Sequence, residues 1–107
     1  MRTLQVRSGI ELVEGIHKAP GGLLRAVVEV DRQMERVLSV SFSGDFFIYP
    51  SEALNWLEDA LKICGFSEMS AAVQRAYASH KIETPGVQPE DWVRVVQHAI
   101  SHHYSKL

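Results

Sequence analysis

The chain has 107 residues, 46% of them hydrophobic and 22% charged, a composition that predicts one globular domain and excludes disordered and fibrous classes. Its 11 basic and 13 acidic residues are mixed along the sequence and give a net charge of -2, so no basic stripe is present to bind nucleic acid. The lack of a long apolar run, of a signal-peptide pattern and of a second cysteine predicts a cytoplasmic protein.

The first half of the chain carries the period of two that is typical of β-strands. Residues 1–15 alternate weakly around Ser8-Gly9, which fits a short hairpin or a strand followed by a loop. The segment IHKAPGG, residues 16–22, is interpreted as a loop because it holds a proline and two adjacent glycines. Two strands are predicted next, separated by a turn at 31–34, with Gly44 to Tyr49 as a further strand or tight loop. The predicted inward-facing residues are Leu24, Ala26, Val28 and Val30 in one strand and Leu38, Val40 and Phe42 in the other.

From Ser51 onward the apolar residues recur with the period of a helix. Ser51 and Gly65 are the predicted caps of a first helix, Ser67 begins a second that reaches about His80, and Pro89 begins a third after a type II turn at Pro85-Gly86. The predicted inner faces are Ala53, Leu54, Leu57, Ala60, Leu61 and Cys64; Met69, Ala72, Val73 and Ala76, with Tyr77 at the edge; and Trp92, Val93, Val96, Ala99 and Ile100. The predicted fold is α+β, a small antiparallel sheet of about three strands with three helices on one face.

The sequence contains no familiar catalytic arrangement, so no catalytic residue and no metal ligand is predicted. IHKAPGG lacks the spacing of a phosphate-binding loop, which leaves a plain connector or an anion contact beside a partner's active site as alternatives. His98 and His102 stand four residues apart, but nothing nearby completes a metal site, and they are predicted to be surface residues. Cys64 is predicted to be a small buried hydrophobe.

The segment SGDFFIYP, residues 43–50, is the most unusual part of the chain. It places a Gly-Asp pair before four consecutive apolar or aromatic residues, so large side chains occupy both faces of an extended segment. Burial under the helices can cover one face, and the other face requires the N-terminal segment or a second protein. A central strand buried on both sides and a docking surface therefore remain as alternatives.

The same segment, followed by SEALNWLEDAL, resembles the C-terminal accessory domain of lipoate-protein ligases. HKAPGGLLRAVVEVD resembles the opening of that domain, and TPGVQPEDWVRVV resembles its closing turn and last helix. The resemblance covers about residues 16–100, so 16–107 is predicted to be the accessory domain and 1–15 an N-terminal extension. A free-standing chain of this kind resembles the small subunit of a two-component ligase.

The resemblance implies a heterodimer in which a large subunit binds lipoate, ATP and Mg, forms lipoyl-adenylate and passes the lipoyl group to an acceptor protein. The small subunit would bind no cofactor alone and would be needed for adenylation, and its fold would be the SufE/NifU-like fold of sulfur-acceptor proteins. The positions implied at the subunit interface are Lys18, Gly21, Gly22, Gly44, Asp45, Phe46, Phe47 and Tyr49. Two alternatives remain: a sulfur acceptor of related fold that uses Cys64, and an interaction module unrelated to lipoate.

Overall fold

The strands of the domain form one antiparallel sheet whose order follows the chain. The structure, a computed structural model, describes residues 3–7 and 9–101. The strands are β1 (Thr3–Arg7), β2 (Ile10–Ala19), β3 (Gly22–Asp31), β4 (Arg36–Asp45) and the two-residue β5 (Cys64–Gly65). Each strand pairs with the next, giving the order β1-β2-β3-β4-β5.

The predicted α+β class is confirmed, but the predicted strand count is wrong because five strands lie within the described residues. Much of the difference comes from the segment 16–22, which was interpreted as a loop. β2 and β3 pair without interruption from Ile10↔Asp31 to Ala19↔Gly22, so only Pro20 and Gly21 form the turn. A proline and a glycine fit such a two-residue turn, and the residues before them stay in the sheet. The boundary predicted between residues 15 and 16 lies inside β2.

One β-bulge changes the inward face of β4. Leu24, Ala26, Val28 and Val30 of β3 are all buried, as their alternation predicts. Opposite them the register shifts between Glu29↔Ser39 and Val30↔Val37, which leaves Leu38 without a directly paired residue. Val37 enters the core in its place, and Leu38 is only partly buried. The predicted inward position of Leu38 is therefore wrong, whereas those of Val40 and Phe42 are confirmed.

The chain after the first helix returns to the sheet, which contradicts the caps predicted there. α1 spans Ala53–Ala60, and it begins after Glu52, with no side-chain cap from Ser51. Ile63 has a positive φ of 51°, and its N–H donates to the carbonyl of Leu38 at 3.3 Å. This contact joins the chain to the free edge of β4, so Cys64 and Gly65 form β5 instead of the end of a helical stripe.

The other two helices agree more closely with the periodicity of the sequence. α2 spans Met69–Ser79 and α3 spans Pro89–Ser101, and Ser67 lies in a short 3-10 turn, Phe66–Glu68, instead of capping α2. The predicted inner residues Met69, Ala72, Val73 and Ala76 of α2 are buried, and Tyr77 at the edge is partly buried. Those of α3 are buried except for Ile100, which is partly buried. The type II turn is confirmed: the N–H of Val87 donates to the carbonyl of Thr84 at 3.0 Å, and Gly86 has φ 76°.

The core lies between the sheet and the three helices. α3 packs across β2 and β3, α2 packs on α3, and α1 packs on β4. Trp92, Val95 and Val96 of α3 have no exposed surface, and burial of each such side chain contributes about 1.5–3 kcal/mol. Within the described residues, every helix is too short or too polar to cross a bilayer.

Candidate functional site

Three loops meet at one end of the sheet. The N–H of Gly21, in the β2–β3 turn, donates to the carbonyl of Gly86 at 2.8 Å, in the turn before α3. Tyr49 and Glu83 exchange two backbone hydrogen bonds of 2.9 Å each, which join the segment after β4 to the segment after α2. We call residues 18–22, 44–50 and 83–87 the loop end. It contains all the predicted interface positions, namely Lys18, Gly21, Gly22, Gly44, Asp45, Phe46, Phe47 and Tyr49.

The strand register explains how Lys18 and Asp45 come together. Lys18 pairs with Leu23 of β3, and Leu23 pairs with Asp45 of β4. Directly paired residues share a face of the sheet, and neighbouring strands lie about 4.8 Å apart. The two exposed charged side chains therefore flank Leu23 on the face away from the helices.

The glycines of the loop end allow backbones to touch. A Cβ atom at Gly22 would overlap the carbonyl oxygen of Asp45, and one at Gly44 would overlap the carbonyl oxygen of Leu23. A Cβ atom at Gly21 would meet the carbonyl oxygen of Pro85 in the same way. These three glycines therefore allow the close backbone packing of the loop end, whereas neighbouring residues supply its exposed side chains.

The aromatic segment after β4 separates into an inner and an outer pair. Phe46 is partly buried, and its ring lies edge-on to Trp92 with centroids 5.2 Å apart, while Ile48 also packs against the core. Phe47 is 66% exposed and Tyr49 is 51% exposed. The interpretation as a central strand buried on both sides is wrong, because β4 ends at Asp45 and the outer pair faces solvent. Two exposed aromatic residues in one short segment are typical of a protein interface.

A second aromatic pair lies along α1 and the end of α2. Trp56 stacks on His80 with ring centroids 4.2 Å apart and an interplanar angle of 19°. His80 directly follows α2 and stands three residues before Glu83, the backbone partner of Tyr49. The sequence offers one signal for this pair, the position of Trp56 at the edge of the apolar stripe of α1.

A chain of side-chain hydrogen bonds supports the loop end from beneath. The indole Nε1–H of Trp92 donates to the hydroxyl of Tyr77 at 2.8 Å, and Tyr77 lies 2.7 Å from the hydroxyl of Thr84. Thr84 donates its hydroxyl hydrogen to the carbonyl of Val87 at 2.8 Å, so Tyr77 is the donor to Thr84. Burial raises the pKa of Tyr77, which keeps its hydroxyl protonated. The sequence does not reveal this chain of hydrogen bonds, because its members lie on α2, α3 and a turn.

His17 and Asp91 form a second connection, between β2 and α3. His17 Nε2 lies 2.8 Å from Asp91 Oδ1, and the backbone N–H of Gln88 donates to Asp91 Oδ2 at 2.7 Å. Burial alone would raise the pKa of Asp91. The bond from Gln88 and the hydrogen bond and charge of His17 outweigh burial and lower that pKa, with a smaller contribution from Arg94. The pair could not be found from the sequence, because 74 positions separate its members.

Asp91→Asn should lower the free energy of unfolding at pH 7 by about 1–3 kcal/mol, because the partly buried His17 ring and the backbone N–H of Gln88 lose a charged acceptor. The folded pKa of Asp91 lies below its unfolded value of about 3.9, so the carboxylate stabilises the fold above that pH. Its contribution is lost as the pH falls through the lowered pKa. Urea unfolding from pH 7 to pH 2.5 should show the gap between wild type and variant narrowing below about pH 4. Asp59→Asn, on the exposed face of α1, is the control, and a gap that does not change with pH contradicts this account.

Cys64 has the environment of a packing residue. Its side chain lies in β5 and is buried, 6% exposed, and its Sγ–H donates to the carbonyl of Gly65 at 3.5 Å. Burial and, secondarily, the charge of Glu68 raise the pKa of the thiol, and Arg75 offsets only part of this rise. A protonated, inaccessible thiol is a poor sulfur acceptor.

The C-terminal histidines give no metal site within the described part of the chain. His98 Nδ1 is hydrogen-bonded to the carbonyl of Ile16 at 3.0 Å, whereas His102 and His103 lie outside the described residues. Within the ranges 3–7 and 9–101, no three His, Cys, Asp or Glu side chains are grouped so that they could hold a metal ion.

Comparison with known proteins connects this architecture to one enzyme system. No family model matches the chain. Lipoate-protein ligase A subunit 2 of Thermoplasma acidophilum is 32% identical over 80 residues, which cover 75% of this chain and 82% of that protein. A chain of a solved structure described as an archaeal lipoylation system, a bipartite lipoate-protein ligase and its E2 lipoyl domain from the same organism, superimposes with a TM-score of 0.73. That match is 30% identical and covers 81% of this chain and 96% of the other.

Proposed function

Since this chain belongs to the family of lipoate-protein ligase A subunit 2, we propose that its loop end is the surface by which a small accessory subunit docks on a large catalytic subunit. The observation that carries this proposal is the exposure of Phe47 and Tyr49, at 66% and 51%, beside the other interface positions that the family resemblance implies. Such side chains bury large apolar area on binding and are typical anchors of an interface.

The chemistry of the complex explains why a second subunit is useful. Adenylation forms a bond between the carboxylate of lipoate and the α-phosphorus of ATP and releases pyrophosphate. The two reactants are both anionic, so the site must align them, exclude water and screen their charges. We place lipoate, ATP and Mg on the large subunit, and we propose that docking of this chain orders the loops that surround them.

The residues of the loop end divide into three roles in this proposal. Phe47 and Tyr49 are the anchors that enter the partner. Lys18 brings a cation toward the phosphates, and Asp45 lies across the sheet from it on the same face. Phe46 acts from beneath, because its contact with Trp92 fixes the direction in which Phe47 points.

A mixing experiment tests the function directly. The chain is combined with a candidate large subunit, ATP, lipoate and an acceptor domain, and adenylate formation and lipoylation are measured with and without it. Both should require the chain, whereas transfer from pre-made lipoyl-adenylate should need it much less. Turnover by the purified chain alone, or no effect on any lipoate ligase, would overturn the proposal; the second result would favour an unrelated interaction module.

Two further expectations rest on the family resemblance and on sequence composition and stay predictions. The first is the relation of this α+β fold to the SufE/NifU-like fold of sulfur-acceptor proteins. The second is a cytoplasmic location for the complete ligase. The burial of Cys64 and its raised thiol pKa argue against the related hypothesis that this chain itself carries sulfur.

A further inference from the structure

We infer that Tyr77 and Thr84 are positioning residues that hold the three loops of the loop end in the one arrangement that the large subunit binds. This inference rests on the proposed function and adds to it. Tyr77 lies outside the loop end, and Thr84 lies within it, but the Thr84 hydroxyl is bonded to Tyr77 and Val87 of this chain and is not one of the proposed anchors. It concerns the hydrogen-bonded chain Trp92–Tyr77–Thr84, which we call the relay.

The relay begins at Trp92, which contacts Phe46 in the segment 46–49 that carries the proposed anchors. Trp92 has no exposed surface, and its ring lies edge-on to Phe46 at 5.2 Å and to Phe42 at 4.9 Å. Its indole N–H has one partner in the relay, the hydroxyl of Tyr77. Trp92 therefore connects the segment that carries Phe47 to Tyr77 of α2, whose hydroxyl contacts the turn at 84–87.

The relay ends at the turn that holds the β2–β3 hairpin. The hydroxyl of Thr84 donates a hydrogen bond to the carbonyl of Val87, and the N–H of Val87 donates one to the carbonyl of Thr84. Two hydrogen bonds therefore close the same turn. The carbonyl of Gly86, inside this turn, accepts the N–H of Gly21. A continuous path of contacts thus runs from Phe46 to the hairpin that carries Lys18.

Each hydroxyl of the relay uses its single hydrogen, and this makes the arrangement specific. Tyr77 accepts from Trp92 and donates to Thr84, and Thr84 accepts from Tyr77 and donates to Val87. If one hydroxyl is removed, the partially buried groups on either side lose a partner and must shift to find another. The turn at 84–87 would then populate other positions, and only a fraction of the molecules would present the loops as the partner requires.

Substitutions at Thr84 provide a matched pair for the test. Thr84→Val removes the hydroxyl with little change of shape, whereas Thr84→Ser keeps it, and Tyr77→Phe removes the other hydroxyl. Each variant is titrated into a fixed amount of large subunit with ATP and lipoate, and the rate of adenylate formation is measured. If the loop arrangement that the large subunit binds falls to about a tenth of the molecules, the concentration of the variant chain that gives half the maximal rate rises about tenfold. The maximal rate of adenylate formation stays unchanged. Thr84→Ser should titrate like wild type.

A stability control separates positioning from simple loss of fold. Val30→Ala creates a small cavity in the core at the end of β3 opposite Gly22, away from the relay, and should lower the melting temperature. It should leave the half-saturating concentration unchanged, although it destabilises the protein. Equal titration curves for Thr84→Val and wild type, or an equal shift in Val30→Ala, would overturn the inference.

A measurement without the partner keeps this inference separate from the proposed function. Hydrogen exchange of the free chain should show faster exchange of the Gly21 amide in Thr84→Val and Tyr77→Phe, with wild-type exchange in Thr84→Ser. If wild type fails to stimulate the large subunit while Gly21 behaves in this way, the proposed function fails and the linkage of the loops stands. If Gly21 is equally protected in all variants, the relay does not hold the hairpin.

Discussion

Replacing Phe47 and Tyr49 together by Ala should nearly abolish adenylate formation by the mixed subunits and leave the fold intact. Both side chains are mostly exposed, so the free energy of unfolding should stay within about 0.5 kcal/mol of wild type. Aromatic anchors of an interface cost about 2 kcal/mol or more each on truncation, so the loss of both, about 4 kcal/mol, should lower the affinity for the large subunit by roughly 1,000-fold. Binding isotherms and the adenylation assay measure the two quantities on the same samples.

The transfer step is the internal control of this experiment. Transfer from pre-made lipoyl-adenylate should be nearly unchanged, because the proposed role of docking is to organise the activation of lipoate. Met34→Ala is the matched surface control, since Met34 is 59% exposed in the turn before β4, at the opposite end of that strand. Equal loss of adenylation and transfer would contradict the proposed role, and so would a comparable loss in Met34→Ala.

Phe46 needs a separate experiment because its ring contributes to the core. Its edge-on contact with Trp92 predicts that Phe46→Ala loses both stability and docking, so this variant cannot distinguish the two effects. The sequence alone treats Phe46 and Phe47 as equivalent aromatic residues. Only the direction of the chain after β4 separates the one that packs from the one that is exposed.

The parts of the fold that the sequence predicts well are those with local causes. The alternation in β3 and the helical period of α2 follow from the side-chain pattern of each element alone. The errors at Leu38 and Cys64 have a shared, nonlocal cause. The bulge in β4 and the return of the chain through Ile63 to the edge of β4 depend on pairing between distant segments, which periodicity cannot reveal.

The same limit applies to the loop end. The family resemblance points to the residues that line it, such as Lys18 and Phe47, but it does not say what holds them together. His17 with Asp91, and Tyr77 with Trp92, are contacts between elements far apart in sequence. A local sequence pattern cannot predict such contacts, because each pair joins two different secondary-structure elements.

Gly22→Ala should be the most destabilising single change considered, at about 3–4 kcal/mol. Gly22 has φ 143°, a region that residues with a side chain rarely adopt, and its added Cβ would overlap the carbonyl oxygen of Asp45. The overlap cannot be relieved by a rotamer change, because both groups belong to paired backbones of β3 and β4. β3 and β4 must therefore separate at the end that leads into Phe47 and Tyr49, so binding to the large subunit should weaken as well.

Gly65→Ala is the matched control for this argument. Gly65 has φ −62° and ψ 148°, which any residue adopts, and an added Cβ there would meet only the flexible side chain of Glu68 at 3.4 Å. Its free energy of unfolding should change by less than about 1 kcal/mol, with a gain from reduced freedom of the unfolded chain offsetting any small clash. Urea unfolding of both variants decides the matter. If Gly22→Ala and Gly65→Ala unfold at the same midpoint, the tight approach of β3 to Asp45 is not what shapes the loop end, and its geometry depends on the turns alone.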